Sequence, residues 1–154
     1  MHLRLVLPSF ALVLTLAGCA GTVALQPADD ANNPGCAEVM VRLPDTIAGA
    51  ERRTTNAQST AAWGDPATII LRCGLVSPEA SSLPCFSVNG IDWLRDDSQA
   101  PTYRFITFGR TPATEVLIDS TAASGTGAID ALGTSVGSVP ATSKCLAADD
   151  VFGN

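Results

Sequence analysis

The sequence predicts a single α+β domain, an antiparallel meander sheet of about five strands with an N-terminal and a C-terminal helix packed on it, held by two disulfides. Three observations carry this reading. Val88-Asn89-Gly90-Ile91 reads as a hairpin, because Asn and Gly accept the positive φ that a two-residue type I′ turn requires at both central positions. Ala67 to Cys73 is an apolar, β-branched run bounded by Pro66 and Gly74. Near the two ends, Cys36, Val39, Met40 and Leu43, and then Ile129, Leu132, Val136 and Val139, recur at helical spacing.

In chain order, residues 1–18 read as a lipoprotein signal peptide. Arg4 supplies a positive start, Leu5 to Leu16 is apolar, and Leu16-Ala17-Gly18-Cys19 resembles the lipobox of bacterial lipoprotein precursors. The apolar run is short for a membrane span and Pro8 interrupts it. The expected consequence is cleavage before Cys19 and lipidation of its sulfur, placing the protein on the outer face of the cytoplasmic membrane. Residues 19–34 hold Pro27, Asp29, Asp30, Asn32, Asn33 and Pro34 without apolar periodicity and read as a lipidated flexible tether. As a coil it would hold the domain on the order of 20–25 Å from the lipid.

Residues 35–154 are then the domain. The first stripe predicts a helix from Gly35 to Leu43, stopped by Pro44. Asp45 to Thr60 is polar and reads as a connecting loop, followed by a turn at Trp63-Gly64-Asp65-Pro66. Strands are expected at Ala67–Cys73, Cys85–Val88, Ile91–Arg95, Tyr103–Gly109 and Thr114–Asp119. The second stripe predicts a helix from Ala128 to Val139. Gly133 and Gly137 each cost it about 1 kcal/mol, so it needs the sheet beneath it.

Without the signal the chain carries eight basic against fifteen acidic residues, a net charge of −7. That charge and the lack of a basic run argue against nucleic acid and leave membrane attachment to the lipid. The only histidine is His2, inside the signal. Histidine-based catalysis and histidine metal sites are thereby removed from the mature chain, and the sequence names no catalytic residue, metal or cofactor. Asp65, Asp92, Glu115 and Asp119 offer carboxylates for a hydrolase, but no spacing singles out a pair.

After Cys19 the cysteines are Cys36, Cys73, Cys85 and Cys145, an even set that reads as two disulfides in an exported domain. Cys36 lies on the apolar stripe of the first helix, and Cys73 shares a strand face with Ile69 and Leu71. Cys85 alternates with Phe86 onto the opposite face. This favours Cys36–Cys73 with Cys85–Cys145, and leaves Cys73–Cys85 with Cys36–Cys145 as the alternative. The chain-entropy model assigns roughly 4 kcal/mol to each of the favoured loops and about 3 to the short Cys73–Cys85 loop.

The candidate ligand-binding residues are Arg72, Arg104 and Arg110, with Asp92. Strand phase puts Arg72, Asp92 and Arg104 on the face away from Phe86 and Trp93, and clustered arginines suit bidentate capture of a carboxylate or phosphate. The competing expectation is that they form cross-strand ion pairs with Asp92, Glu115 and Asp119. Trp63 and Trp93 are read as core.

Trp63-Gly64-Asp65-Pro66, Leu71-Arg72-Cys73-Gly74, Val88-Asn89-Gly90-Ile91-Asp92-Trp93, and Arg104-Phe105 leading to Gly109-Arg110 together resemble an actinobacterial lipoprotein family of unknown function, domain of unknown function 3515. The cysteine ahead of Leu43-Pro44 and the Arg52-Arg53 pair fit it as well, so the resemblance runs from about Cys36 to Val139. It implies relatives with cysteines at the positions of Cys36 and Cys73 only, in agreement with the favoured pairing. The family carries no assigned activity, and a gene neighbourhood near a D-alanine ligase implies a role in the cell envelope. The sequence therefore predicts a membrane-anchored, non-catalytic binding or accessory module of the envelope, with an envelope protein or an anionic wall-precursor group as partner. The alternatives are a purely structural lipoprotein and a carboxylate-dependent hydrolase.

Overall fold

Asn33 starts the first helix, its side chain accepting a hydrogen bond from the Gly35 amide while Pro34 occupies the first turn, where no amide is needed. This helix, α1, spans Pro34–Met40 and buries Cys36 and Val39. The computed structural model, which describes residues 21–78 and 81–146, continues with eight strands and a second helix. The strands are β1 (Thr46–Ile47), β2 (Ala50–Arg53), β3 (Thr60–Trp63), β4 (Ile69–Leu75), β5 (Cys85–Val88), β6 (Ile91–Asp96), β7 (Thr102–Thr107) and β8 (Ala113–Asp119). Helix α2 spans Gly125–Val136 and is capped by the Ser124 hydroxyl, which accepts from the Gly127 amide.

The eight strands form one antiparallel sheet in the order β1-β2-β3-β4-β8-β7-β6-β5. The expectation of about five strands is therefore corrected. The five expected strands are present; β1, β2 and β3 were hidden in the stretch read as a loop and a turn. Their sequences explain why. The β1–β2 hairpin turns on Ala48 and Gly49, both at positive φ, so it lacks the Asn-Gly signature. β2 is Ala-Glu-Arg-Arg, and β3 is Thr-Ala-Ala-Trp with all four residues buried, so neither shows the alternation of a half-buried strand. The meander is corrected too. After β4 the chain crosses to the far edge, runs back through β5, β6 and β7, and inserts β8 between β7 and β4.

The hairpin at Asn89-Gly90 has both central residues at positive φ, with Phe86 opposite Trp93 and Ser87 opposite Asp92. On the helix-covered face Trp63, Ile69, Leu71, Cys73, Trp93, Val116 and Ile118 pack against Cys36, Val39, Ile129, Leu132 and Val136. Both tryptophans are fully buried, and Trp63 Nε1 donates to the Pro44 carbonyl at 3.0 Å. Truncating either to alanine falls in the range of about 3–5 kcal/mol for large core residues. Cys36 is joined to Cys73, fastening α1 to β4, and Cys85 to Cys145, fastening the β5 edge to the C-terminal segment. This is the pairing favoured from strand phase.

The helices start earlier than their apolar stripes. α2 begins at Gly125 because Ser124 caps it, although Gly125 and Gly127 add nothing to an apolar pattern. The tether expected over 19–34 is revised in its described part: Val23 bridges Thr55, Asp30 donates to the Gly74 carbonyl, and Ala31 is buried. Two expectations, the signal peptide of 1–18 and lipidated Cys19, lie outside the described residues.

Candidate functional site

The uncovered face of the sheet carries the expected arginines. Antiparallel register sets Arg72 of β4 directly opposite Glu115 of β8, and Arg104 comes alongside from β7. Glu115 is buried at 3% exposure, and its two oxygens divide between the arginines. Oε1 accepts from Arg72 Nε at 3.0 Å and pairs with Nη2 at 2.7 Å, while Oε2 accepts from Arg104 Nε. The arginine side chains remain about one-third exposed, at 35% and 36%. Glu115 thus fills the space that an anionic ligand would need, which is the ion-paired alternative weighed from the sequence.

Removing this carboxylate should leave Arg72 without its counter-charge and Arg104 facing only its cross-strand neighbour Asp96. Glu115→Ala is expected to cost about 1–3 kcal/mol, less than a fully buried pair because both arginines can turn to water. Urea unfolding checks this; a midpoint unchanged from the parent would show that the triad contributes nothing to stability.

Arg110 and Asp92 stand apart from that triad. Arg110 is buried, donates through Nη1 to the Val139 carbonyl, and among the described residues has no partner at Nε. Burial is the main influence lowering its pKa, and the nearby Asp92 charge opposes it. Asp92 accepts from the Ser87 hydroxyl and, at 2.7 Å, from the Cys145 amide. Both residues therefore fasten the C-terminal segment, together with the Cys85–Cys145 bond and the Thr142 amide donating to the Gly109 carbonyl. The four residues singled out from the sequence form two structural clusters, not one site.

The other carboxylates are also engaged. Asp65 pairs with Arg53 at 2.9 Å, and Asp119 accepts from the Thr121 hydroxyl and amide, which lowers its pKa. Among the described residues no group of three or more His, Cys, Asp or Glu is placed to hold a metal ion.

A different feature has the shape of a binding site. Where α2 begins above the β5–β7 corner, it leaves a cleft of about 460 Å³. Phe86, Tyr103 and Phe105 form its aromatic side, with the Phe86 and Phe105 rings edge to face at 6.2 Å. Arg95 and Asp97, 3.4 Å apart and both well exposed, and the residues Ser120, Ser124 and Thr126 supply the polar side. Sequence reasoning missed it. The available signal was that Phe86, Arg95 and Phe105 alternate onto one sheet face, but the early start of α2 decides which of them stay uncovered.

A family model described as "Protein of unknown function (DUF3515)" matches residues 6–144. Comparison with curated proteins and with solved structures finds no match. Among the described residues no helix is long and apolar enough to cross a membrane.

Proposed function

The chain belongs to this family of unknown function, and on that premise we propose a lipid-anchored protein of the cell envelope that binds a small ligand without transforming it. The anchor is Cys19 at the end of Leu16-Ala17-Gly18-Cys19, on the outer face of the cytoplasmic membrane. The observation that carries the binding role is the cleft at the β5–β7 corner, whose volume falls within the range typical of small-molecule sites. Its aromatic wall suits one flat or apolar face of a ligand, and Arg95 with the neighbouring hydroxyls suits an anionic or hydroxylated edge. An anionic wall-precursor group has that chemistry. Chemistry on the ligand is disfavoured because the cleft holds a single carboxylate, Asp97, already beside Arg95, and no histidine follows His2 in the chain.

A purely structural envelope protein is the second reading, favoured by Glu115 closing the Arg72–Arg104 face. Titration with phosphorylated and carboxylated amino sugars, followed by NMR, separates the two. Binding is expected to shift Phe86, Tyr103 and Arg95 resonances, and Arg95→Ala should weaken it about tenfold or more, the worth of a charge-assisted contact. If no compound moves these resonances in folded protein, the structural reading stands. The anchor is tested by fractionation: Cys19→Ala should move the protein from membrane to soluble fractions, and unchanged membrane retention would remove that part of the proposal.

A further inference from the structure

The segment that leads from the anchor to the domain is tied down from its first described residue. Arg53 Nη2 donates to the Gly21 carbonyl at 2.7 Å while its Nη1 donates to the Gly64 carbonyl at 2.9 Å. Val23 exchanges hydrogen bonds with the backbone beyond β2, its amide donating to Thr54 and its carbonyl accepting from Asn56. The Leu25 amide donates to Asn56 Oδ1 at 2.8 Å. Further on, the Asp30 amide donates to the Gly74 carbonyl at 3.1 Å and the Ser59 hydroxyl to the Ala31 carbonyl at 2.5 Å. The main chain passes so close to β4 that a Cβ at Gly74 would lie 2.5 Å from Asp30 and 2.6 Å from Ala31. Side chains and backbone together hold residues 21–33 as a strap on the domain.

This removes the slack. A free coil of the whole segment would hold the domain on the order of 20–25 Å away, whereas only Ala20 lies between Cys19 and Gly21, two steps of chain that span at most about 7 Å. We infer that the lipid-anchored domain rests directly on the bilayer, with the corner made by β2 and the Gly64-Asp65-Pro66 turn against the headgroups. The inference depends on Cys19 being the lipidated residue. The charge at that corner fits such an approach. Arg53 is paired with Asp65, and exposed Arg52 lies between exposed Glu51 and Asp45, so the corner carries a net charge of −1 where the mature chain as a whole carries −7. Anionic headgroups would repel this corner less than the rest of the surface. The nearest strand of the β5–β7 cleft, β7, lies four strand spacings from β2, roughly 19 Å across the sheet, and two from the β4 end of the turn.

The test uses lipidated protein in phosphatidylglycerol-containing vesicles, carrying a fluorophore at Thr54→Cys or at Gln99→Cys, with an acceptor dye in the headgroups. Energy transfer is expected to be greater from position 54 than from 99. Amides of Val23, Leu25 and Asp30 should exchange with solvent at least about tenfold more slowly than free chain, and Asn56→Ala, which removes the acceptor of the Leu25 amide, should abolish the protection at Leu25 while sheet amides keep theirs. Mass measurement of the N-terminal peptide reports lipidation separately. A lipidated Cys19 with strap amides exchanging as free chain, or with equal transfer from both dyes, overturns the inference alone. A Cys19 without lipid overturns the anchor reading, and the inference with it.

Discussion

Replacing Gly109 with alanine is expected to destabilise the domain by about 2–4 kcal/mol and to loosen the C-terminal segment, the range set by a strained backbone plus a main-chain clash. Gly109 sits at φ 68. A Cβ there would enter the Ser143 carbonyl, which is backbone and cannot swing aside. Nor can the segment simply move off. The Thr142 amide donates to the Gly109 carbonyl at 2.7 Å, Arg110 pairs with Ala141 as a β-bridge, and Cys145 is bonded to Cys85. Gly90 provides the internal control, since it also has positive φ, at 78, but among the described residues nothing lies within 4 Å of an added Cβ. Gly90→Ala should cost only about 1 kcal/mol, the conformational part alone. Urea unfolding of the two variants decides it; equal losses would show that the close approach at Ser143 contributes nothing.

Removing the Cys36–Cys73 bond by a double alanine substitution is expected to cost about 4 kcal/mol from chain entropy, with a further loss from packing. The loop closed is 37 residues in sequence separation, against 60 for Cys85–Cys145, so the entropic parts are similar. Burial separates the two cases. Cys36 and Cys73 are both 0% exposed within the helix–sheet core, while Cys85 is exposed and Cys145 is half-buried. The first double variant should therefore melt below the second. Against a typical total stability of about 5–15 kcal/mol it would leave a small margin at growth temperature. Melting under non-reducing conditions checks the order. Coincident curves would mean that the buried sulfurs add no packing energy.

How far the fold was legible follows from what kind of signal each part carries. The hairpin at Asn89-Gly90, the five apolar strands and the Cys36–Cys73 pairing rest on turn chemistry and two-residue alternation, which are local. The first three strands lacked both signals: a turn built on Ala48-Gly49, a charged edge at Glu51-Arg52-Arg53, and a β3 buried on every residue. The strap was misread because Asp, Asn and Pro look like a linker, while its attachment depends on the bare backbone of Gly74 and on Arg53, Asn56 and Ser59 far along the chain. Strand phase rightly brought Arg72 and Arg104 to one face. It could not reveal that a single buried glutamate would take both, nor that Arg110 would turn toward Val139. The cleft depends on where Ser124 starts a helix relative to β5–β7, a tertiary relation with no local trace.

The position of β8 has a consequence for how the protein is made. Ala113–Asp119 is the last strand among the described residues, yet it lies in the middle of the sheet and pairs with β4 on one side and β7 on the other. Until residues 113–119 have left the ribosome, β1–β4 and β5–β7 are separate ribbons, each with an unpaired edge. Such edges recruit other chains as readily as their own. A growing chain of this topology therefore exists as two unfinished halves until the last strand takes its place between them.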